Sequence, residues 1–178
     1  MQGPRVALRG FTDADRPAFA RMNADPEVTR YLLAPLTRAE SDALVDRIRG
    51  HFERHGFGLW ALEIPDHDGM RFAGFVGLMR PGFEAAFTPC VEIGWRLDRA
   101  AWGHGYATEG ARLALAFGFE RAGLDEIVSF TAVDNAPSRR VMERLGMTRS
   151  ADEDFDHPRV PHGHPLRRHV LYRIRSAR

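Results

Sequence analysis

The run Trp102-Gly103-His104-Gly105-Tyr106-Ala107-Thr108-Glu109 is the stretch of this chain best suited to chemistry. It follows an alternating apolar segment and opens one with helical periodicity. Two glycines let the main chain curl closely around a bulky anion. A helix start adds unpaired N–H groups and a favourable dipole. Such a turn would cradle a pyrophosphate without any lysine. A dinucleotide fingerprint needs G-x-G-x-x-G, and Thr108 stands where the third glycine belongs, so that reading fails. A plain strand-to-helix turn fits the same residues, and local spacing alone leaves both open.

The remaining reactive side chains point less clearly to a site. His157, His162, His164 and His169 crowd together late in the chain, with Asp154 and Asp156 nearby. Pro158, Pro161 and Pro165 interrupt them and no i, i+4 histidine pair occurs, so no metal site is expected. A Pro/His-rich loop between the last two strands is the expectation. Cys90 is the single cysteine, which excludes a disulfide framework and a cysteine-based zinc site. It has no local histidine partner and reads as a small core or edge residue. Glu109 lies inside the helix after the turn and reads as a packing or capping partner. Trp60 and Trp95 alternate with apolar neighbours and read as core.

These residues need elements to hold them. Arg5 to Phe11 reads as a strand with Val6 and Leu8 on one face. Thr12-Asp13-Ala14-Asp15 offers helix starts ahead of Phe19 and Met22. Thr37-Arg38-Ala39-Glu40 fits a capping box, and Leu44, Val45, Ile48 and Phe52 follow on one helical face. Gly56 and Gly58 end that helix. Leu59–Ile64 and Phe72–Met79 read as paired strands around the turn Asp66-His67-Asp68-Gly69. Cys90–Leu97 is another strand, followed by the glycine turn and a helix from Tyr106 to Arg121. Glu126–Val133 is a strand and Pro137–Leu145 a short helix, with Asn135 near its N-cap and Gly146 at C′. Thr148–Phe155 and Leu166–Ile174 complete the strands.

Length and composition bound the class. The 178 residues, 44% hydrophobic and 28% charged, suit one globular domain over residues 1–178 with a core that needs no disulfide or metal. Twenty-five basic against 24 acidic residues give a net charge of +1, short of a nucleic-acid footprint. All the basic residues are arginine, which excludes Schiff-base chemistry and a Walker A phosphate loop. No apolar run is long enough for a membrane span, and the first residues hold no apolar leader segment, so a cytoplasmic protein is expected, away from membranes and nucleic acid.

Three blocks, in order and at the expected spacing, resemble the GNAT superfamily of N-acetyltransferases, close to its ribosomal-protein-alanine (Rim-type) branch. They are Glu92-Ile93-Gly94-Trp95-Arg96-Leu97, the turn from Trp102 to Ala107, and Asn135 to Met147. The superfamily turn is Gln/Arg-x-x-Gly-x-Gly/Ala. Trp102 replaces its first residue, as is familiar in the Rim-type branch, while Gly105 and Ala107 match. The resemblance implies a mixed α/β (α+β) acyl-CoA N-acyltransferase fold, a central, mostly antiparallel mixed sheet flanked by about four helices. It implies acetyl-CoA as cosubstrate, no metal, and an amine acceptor, and it leaves a homodimer open. Trp102, Gly103, His104, Gly105, Tyr106 and Ala107 would hold the pyrophosphate. Main-chain groups along Trp95, Arg96 and Leu97 would pair with the pantetheine arm, and Asn135 and Ser138 would meet its far end. Glu92 would be the general base, or else the partner of a neighbouring arginine. Many members carry a tyrosine acid at the position of Met142, which has no proton to give. Ser138 would then hydrogen-bond the leaving thiolate, or only help cap its helix. Tyr106 looks badly placed for the sulfur. A non-catalytic acyl-CoA-binding or sensor domain is the alternative that Met142 suggests.

Overall fold

The computed structural model describes residues 1–67 and 69–176. Its strands are β1 (Ala7–Arg9), β2 (Leu59–Asp66), β3 (Gly69–Met79), β4 (Glu92–Leu97), β5 (Glu126–Ala132), β6 (Thr148–Arg149), β7 (Phe155–Asp156) and β8 (Arg168–Arg175). Its helices are α1 (Arg16–Ala24), α2 (Arg38–His55), α3 (Tyr106–Ala116) and α4 (Ala136–Arg144). The strands form one sheet in the order β1-β2-β3-β4-β5-β8-β6, with β7 also on β8. Every pairing is antiparallel except β4 with β5. This is the mixed fold with four helices that the three blocks imply.

Strand periodicity sorts the core into two layers. On one face Trp60, Leu62, Ile64, Val76, Leu78, Ile93 and Leu97 pack with Ala111, Ala114 and Leu115 of α3 and Met142 of α4. On the other, Leu59, Ala61 and Phe75 meet Phe19 and Met22 of α1 and Val45 and Ile48 of α2. Adjacent residues of β2 thus serve opposite cores. Trp60 is buried and Trp95 packs against the first core, as their alternation suggests.

The local signals act where expected. Thr37 Oγ1 accepts from Glu40 N at 3.3 Å and Glu40 Oε2 accepts from Thr37 N at 2.8 Å, closing the capping box. The hairpin pairs Asp66 with Gly69; of the expected turn, Asp68 lies outside the described residues.

Two expectations change. The helix read through Arg121 is α-helical to Ala116, then widens into a π turn over Phe117–Arg121. Gly118 sits there so close to Ile127 and Leu78 that a Cβ would fall 2.7 Å from the isoleucine. The strand read as Thr148–Phe155 is broken into β6, a 3-10 turn at Ala151–Glu153, and β7. Arg149 turns back onto Asp154, with Nε to Oδ1 at 2.9 Å, and both short strands still pair with β8.

Candidate active site

The site begins where β4 and β5 part. These parallel neighbours share one register pair, Glu92 with Val128. Val128 N also donates to Val91 O at 2.9 Å, and the buried Ser129 Oγ donates to Ile93 O at 2.9 Å. Beyond that point the two strands have no ladder, and a wedge opens between them. Successive strand residues turn their N–H and C=O to opposite sides. Asp98 N donates to Ala73 O of β3, so the even-numbered residues of β4 face β3. The odd ones, Trp95 and Leu97, therefore face the wedge. Leu97 O accepts the indole N–H of Trp102 at 2.8 Å. The other main-chain groups of the pair lack a strand partner among the described residues, and they would suit a ligand that carries amides of its own. The main chain of Arg96 faces β3 instead, so the structure separates it from Trp95 and Leu97.

The wedge leads to the start of α3. Gly103 and Gly105 both hold φ of +81°, which side-chain-bearing residues rarely adopt. The first helical bond runs from Glu109 N to Gly105 O at 3.0 Å. No side chain caps this end among the described residues, so the amides of Gly105, Tyr106, Ala107 and Thr108 are left for an anion. His104 and Tyr106 stack with ring centroids 5.4 Å apart.

Arg5 braces the turn, a role that no local pattern announces. Its main-chain N–H donates to Glu109 Oε1 at 2.7 Å, and its guanidinium reaches Glu109 Oε2 at 2.8 Å and His104 O at 3.1 Å. It also lies over the Tyr106 ring at 5.3 Å. Glu109 is thus a partner of the N-terminal segment, in keeping with its expected structural role. A groove of about 550 Å³ runs along this side of α3, with Arg5, Gly105, Arg112 and Arg144 in its walls. It adds positive charge beside the turn and lies apart from Glu92.

Across the wedge, Asn135 caps α4. Its Oδ1 accepts from Ser138 N at 3.3 Å and its Nδ2 donates to Thr131 Oγ1 at 2.8 Å. The cap uses the amide of Ser138 and leaves its half-buried hydroxyl without a protein partner among the described residues. Met142 is 1% exposed and belongs to the core. Packing therefore accounts for an apolar residue at that position.

Glu92, Gly94 and Arg96 share the face of β4 that looks toward α1 and α2. Glu92 keeps some accessible surface, yet burial pushes its carboxyl up to about 8. No hydrogen bond or ion pair reaches it among the described residues, so an arginine pairing does not explain it. A carboxyl held near neutrality in a cleft is suited to taking a proton from an amine. On the same face Phe130 of β5 joins Phe83, Phe87 and Phe155 in a half-buried aromatic cluster, with His157 and His169.

Three of the four late histidines have local partners. The rings of His157 and His169 lie 4.9 Å apart, and burial drives His157 down to about 4 and lowers His169. The Nδ1 atoms of His157 and His164 accept from the main-chain N–H of Arg159 and Leu166. The Cys90 thiol is half-buried and raised to about 11, first by burial and then by Glu92, which opposes thiolate formation.

Sequence and fold comparisons identify similar proteins. Residues 5–148 match the family described as the acetyltransferase (GNAT) domain. The chain is 37% identical over 160 residues to the uncharacterized N-acetyltransferase YnaD of Bacillus subtilis, covering 89% of this chain and 86% of that one. A GNAT-family acetyltransferase from Bacillus anthracis superposes with a TM-score of 0.78 at 24% identity, over 98% of this chain and 97% of its own. The ribosomal L7/L12 alpha-N-protein acetyltransferase RimL, solved in complex with coenzyme A, superposes with a TM-score of 0.75 at 18% identity, over 97% and 95%.

Proposed function

This chain belongs to the GNAT acetyltransferase family, and on that footing we propose that it transfers the acetyl group of acetyl-CoA directly to a primary amine, as a single domain over residues 1–178. One observation carries the reading. A desolvated carboxyl, an opened strand edge and an uncapped helix start lie in sequence along one stretch of chain, from Glu92 to Thr108. The amides from Gly105 to Thr108 bind the pyrophosphate, and Trp102, Gly103 and His104 shape the turn. Arg5, Arg112 and Arg144 supply positive charge beside it. Trp95 and Leu97 pair with the pantetheine amides, while Arg96 keeps the strand between them on β3. Asn135 fixes the start of α4 and so places Ser138.

Glu92 accepts the proton that the acceptor nitrogen loses. That nitrogen attacks the thioester carbonyl, a C–N bond forms, and the C–S bond breaks. The thiolate leaves toward Ser138, whose hydroxyl donates a hydrogen bond to it, and its proton comes from water. No metal takes part in this scheme. Trp102 in the turn and the likeness to RimL support the Rim-type branch, with a small molecule or a protein N-terminus as acceptor. A free cysteine fits a cytoplasmic setting.

Calorimetric titration with CoA, followed by thiol release from acetyl-CoA with a panel of amines, tests the reading. Binding and amine-dependent thiol release are expected. A folded protein that does not bind CoA refutes it, and binding with no release from any amine favours a sensor domain.

A further inference from the structure

Arg96 is a cation in a cleft with no anion to answer it. Its Nη1 donates to Asn23 Oδ1 at 2.7 Å, and the guanidinium lies over the Phe75 ring at 5.4 Å. Asn23 and Phe75 are themselves buried, and Asn23 Nδ2 is tied to Ser41 Oγ of α2 at 2.9 Å. The guanidinium is thus held from two sides by neutral groups that cannot move freely. No carboxylate pairs with it among the described residues. Its remaining N–H donors have no protein partner, and none is sealed from solvent, because Arg139 Nε is the sole arginine nitrogen among the described residues that is both buried and unpaired. Burial alone lowers Arg96 to about 10, as for a cation whose environment offers no compensating charge. A largely buried guanidinium with no counter-charge is costly to keep unless a ligand completes it.

Its position says which ligand. Arg96 shares a strand face with Glu92, and Gly94 between them carries no side chain. A Cβ built there would meet only Glu92 Oε1, at 3.9 Å. The two ionisable groups therefore bracket an open floor about 13 Å long between Cα atoms. Both side chains are long enough to shorten that span to the size of a small molecule. A planar guanidinium with free parallel donors matches a carboxylate in bidentate fashion.

We infer that the acceptor amine carries a carboxylate, and that Arg96 is the specificity-determining residue that binds it. This inference rests on the acetyl-transfer reading above and narrows its substrate class. The carboxylate could belong to a free amino acid or to an acidic side chain near a peptide N-terminus, so both sources enter the test.

The test measures thiol release from acetyl-CoA with free L-amino acids, each against its own α-amide. Short amidated peptides with Asp or Glu at their second position are run against the Asn or Gln forms. In the wild type one carboxylate-bearing series should exceed its neutral counterpart by about tenfold or more in kcat/KM. Arg96→Gln should remove that preference by raising KM for the carboxylate member about ten- to a hundredfold, with the KM for acetyl-CoA unchanged. Arg96→Lys, which keeps the charge and loses the fork, should recover part of it. Equal use of acids and amides by the wild type overturns the inference and leaves acetyl transfer intact. An Arg96→Gln variant that loses both members alike also overturns it, since that is the mark of a purely structural arginine. If no amine in the panel is turned over, the same amino acids and peptides are titrated calorimetrically into the CoA complex, and no Arg96-dependent carboxylate binding overturns it as well. Failure to bind CoA at all refutes the acetyl-transfer reading instead.

Discussion

Glu92→Gln should cost activity and increase stability, each with its own dependence on pH. Burial raises the folded-state carboxyl of Glu92 to about 8, against an ordinary value near 4.5. Below about pH 4.5 both folded and unfolded chains hold the proton, and the site costs nothing. Between the two values the unfolded chain releases its proton and the folded chain keeps it. Each pH unit there removes about 1.4 kcal/mol of folding stability, and the loss levels off above pH 8. From pH 5.5 to 8.5 this sets a ceiling of about 3 kcal/mol. The carboxylate keeps some contact with water, so about half of that is the expected value. Glutamine does not titrate, so the variant should gain about 1.5 kcal/mol over wild type across this interval. For a domain of this size the gain is about 4 °C in Tm. Thermal melts of both proteins at pH 5.5, 7 and 8.5 measure it. The same variant should bind CoA normally and lose on the order of 10²-fold or more in turnover at neutral pH. Higher pH should restore part of the loss, as the acceptor amine deprotonates unaided. Parallel Tm profiles for the two proteins would refute the desolvated carboxyl. Matching rate profiles would remove Glu92 as the base.

Three further outcomes test the donor side. Gly105→Glu places a side chain at φ +81° and a negative charge among the free amides, and should abolish CoA binding by calorimetry in a protein that still folds; unchanged affinity would dismiss the cradle. Ser138→Ala should lower turnover about ten- to a hundredfold with no rescue at high pH, and Tm should hold because the helix cap uses the Ser138 amide and not its hydroxyl; full activity would remove the thiolate role. Arg5→Ala should weaken CoA binding about three- to tenfold by loosening the turn, with a Tm change of roughly 2 °C or less because the Arg5 side chain is 53% exposed; an unaltered affinity would reduce Arg5 to a surface contact.

Features decided by neighbours in sequence were legible before any coordinates. Thr37 and Glu40 are three residues apart, and their reciprocal bonds follow from that spacing. The glycine turn is set by the residues that form it, and Gly146 ends α4 at φ +77° as its position implied. The alternation of β2 revealed strands, although not that its two faces serve separate cores. What stayed hidden depends on distant partners. Arg5 and Glu109 are 104 residues apart, and nothing local in either announces the bond. The break in the strand after Arg149 arises from a side chain folding back onto Asp154, which strand propensity does not register. The π turn after Ala116 holds Gly118 close against Ile127, a long-range approach that helical periodicity does not reveal. Arg96 was legible as part of a family block, and its side chain was not, because its unusual environment is made by Asn23 and Phe75 from other elements.

The geometry of β4 shows how six residues could serve two ligands at once under the proposed reading. A strand offers three directions: one face, the other face, and its edge. In β4 the odd side chains Ile93, Trp95 and Leu97 go to the core under α3 and α4, which anchors the strand. The even side chains go to the opposite face, where Glu92 and Arg96 flank the bare Gly94. The edge is free because β5 pairs at a single position and then diverges. The wedge therefore needs no cavity carved out of the core, since it uses backbone groups that any sheet interior would otherwise have to satisfy. A donor along the edge and an acceptor on the even face, as proposed, would bring the thioester and the amine together at the strand itself. Glu92 sits where the wedge closes. The same alternation makes the arrangement sensitive to register, because a shift of one residue would send Glu92 and Arg96 into the apolar core and Trp95 into the cleft.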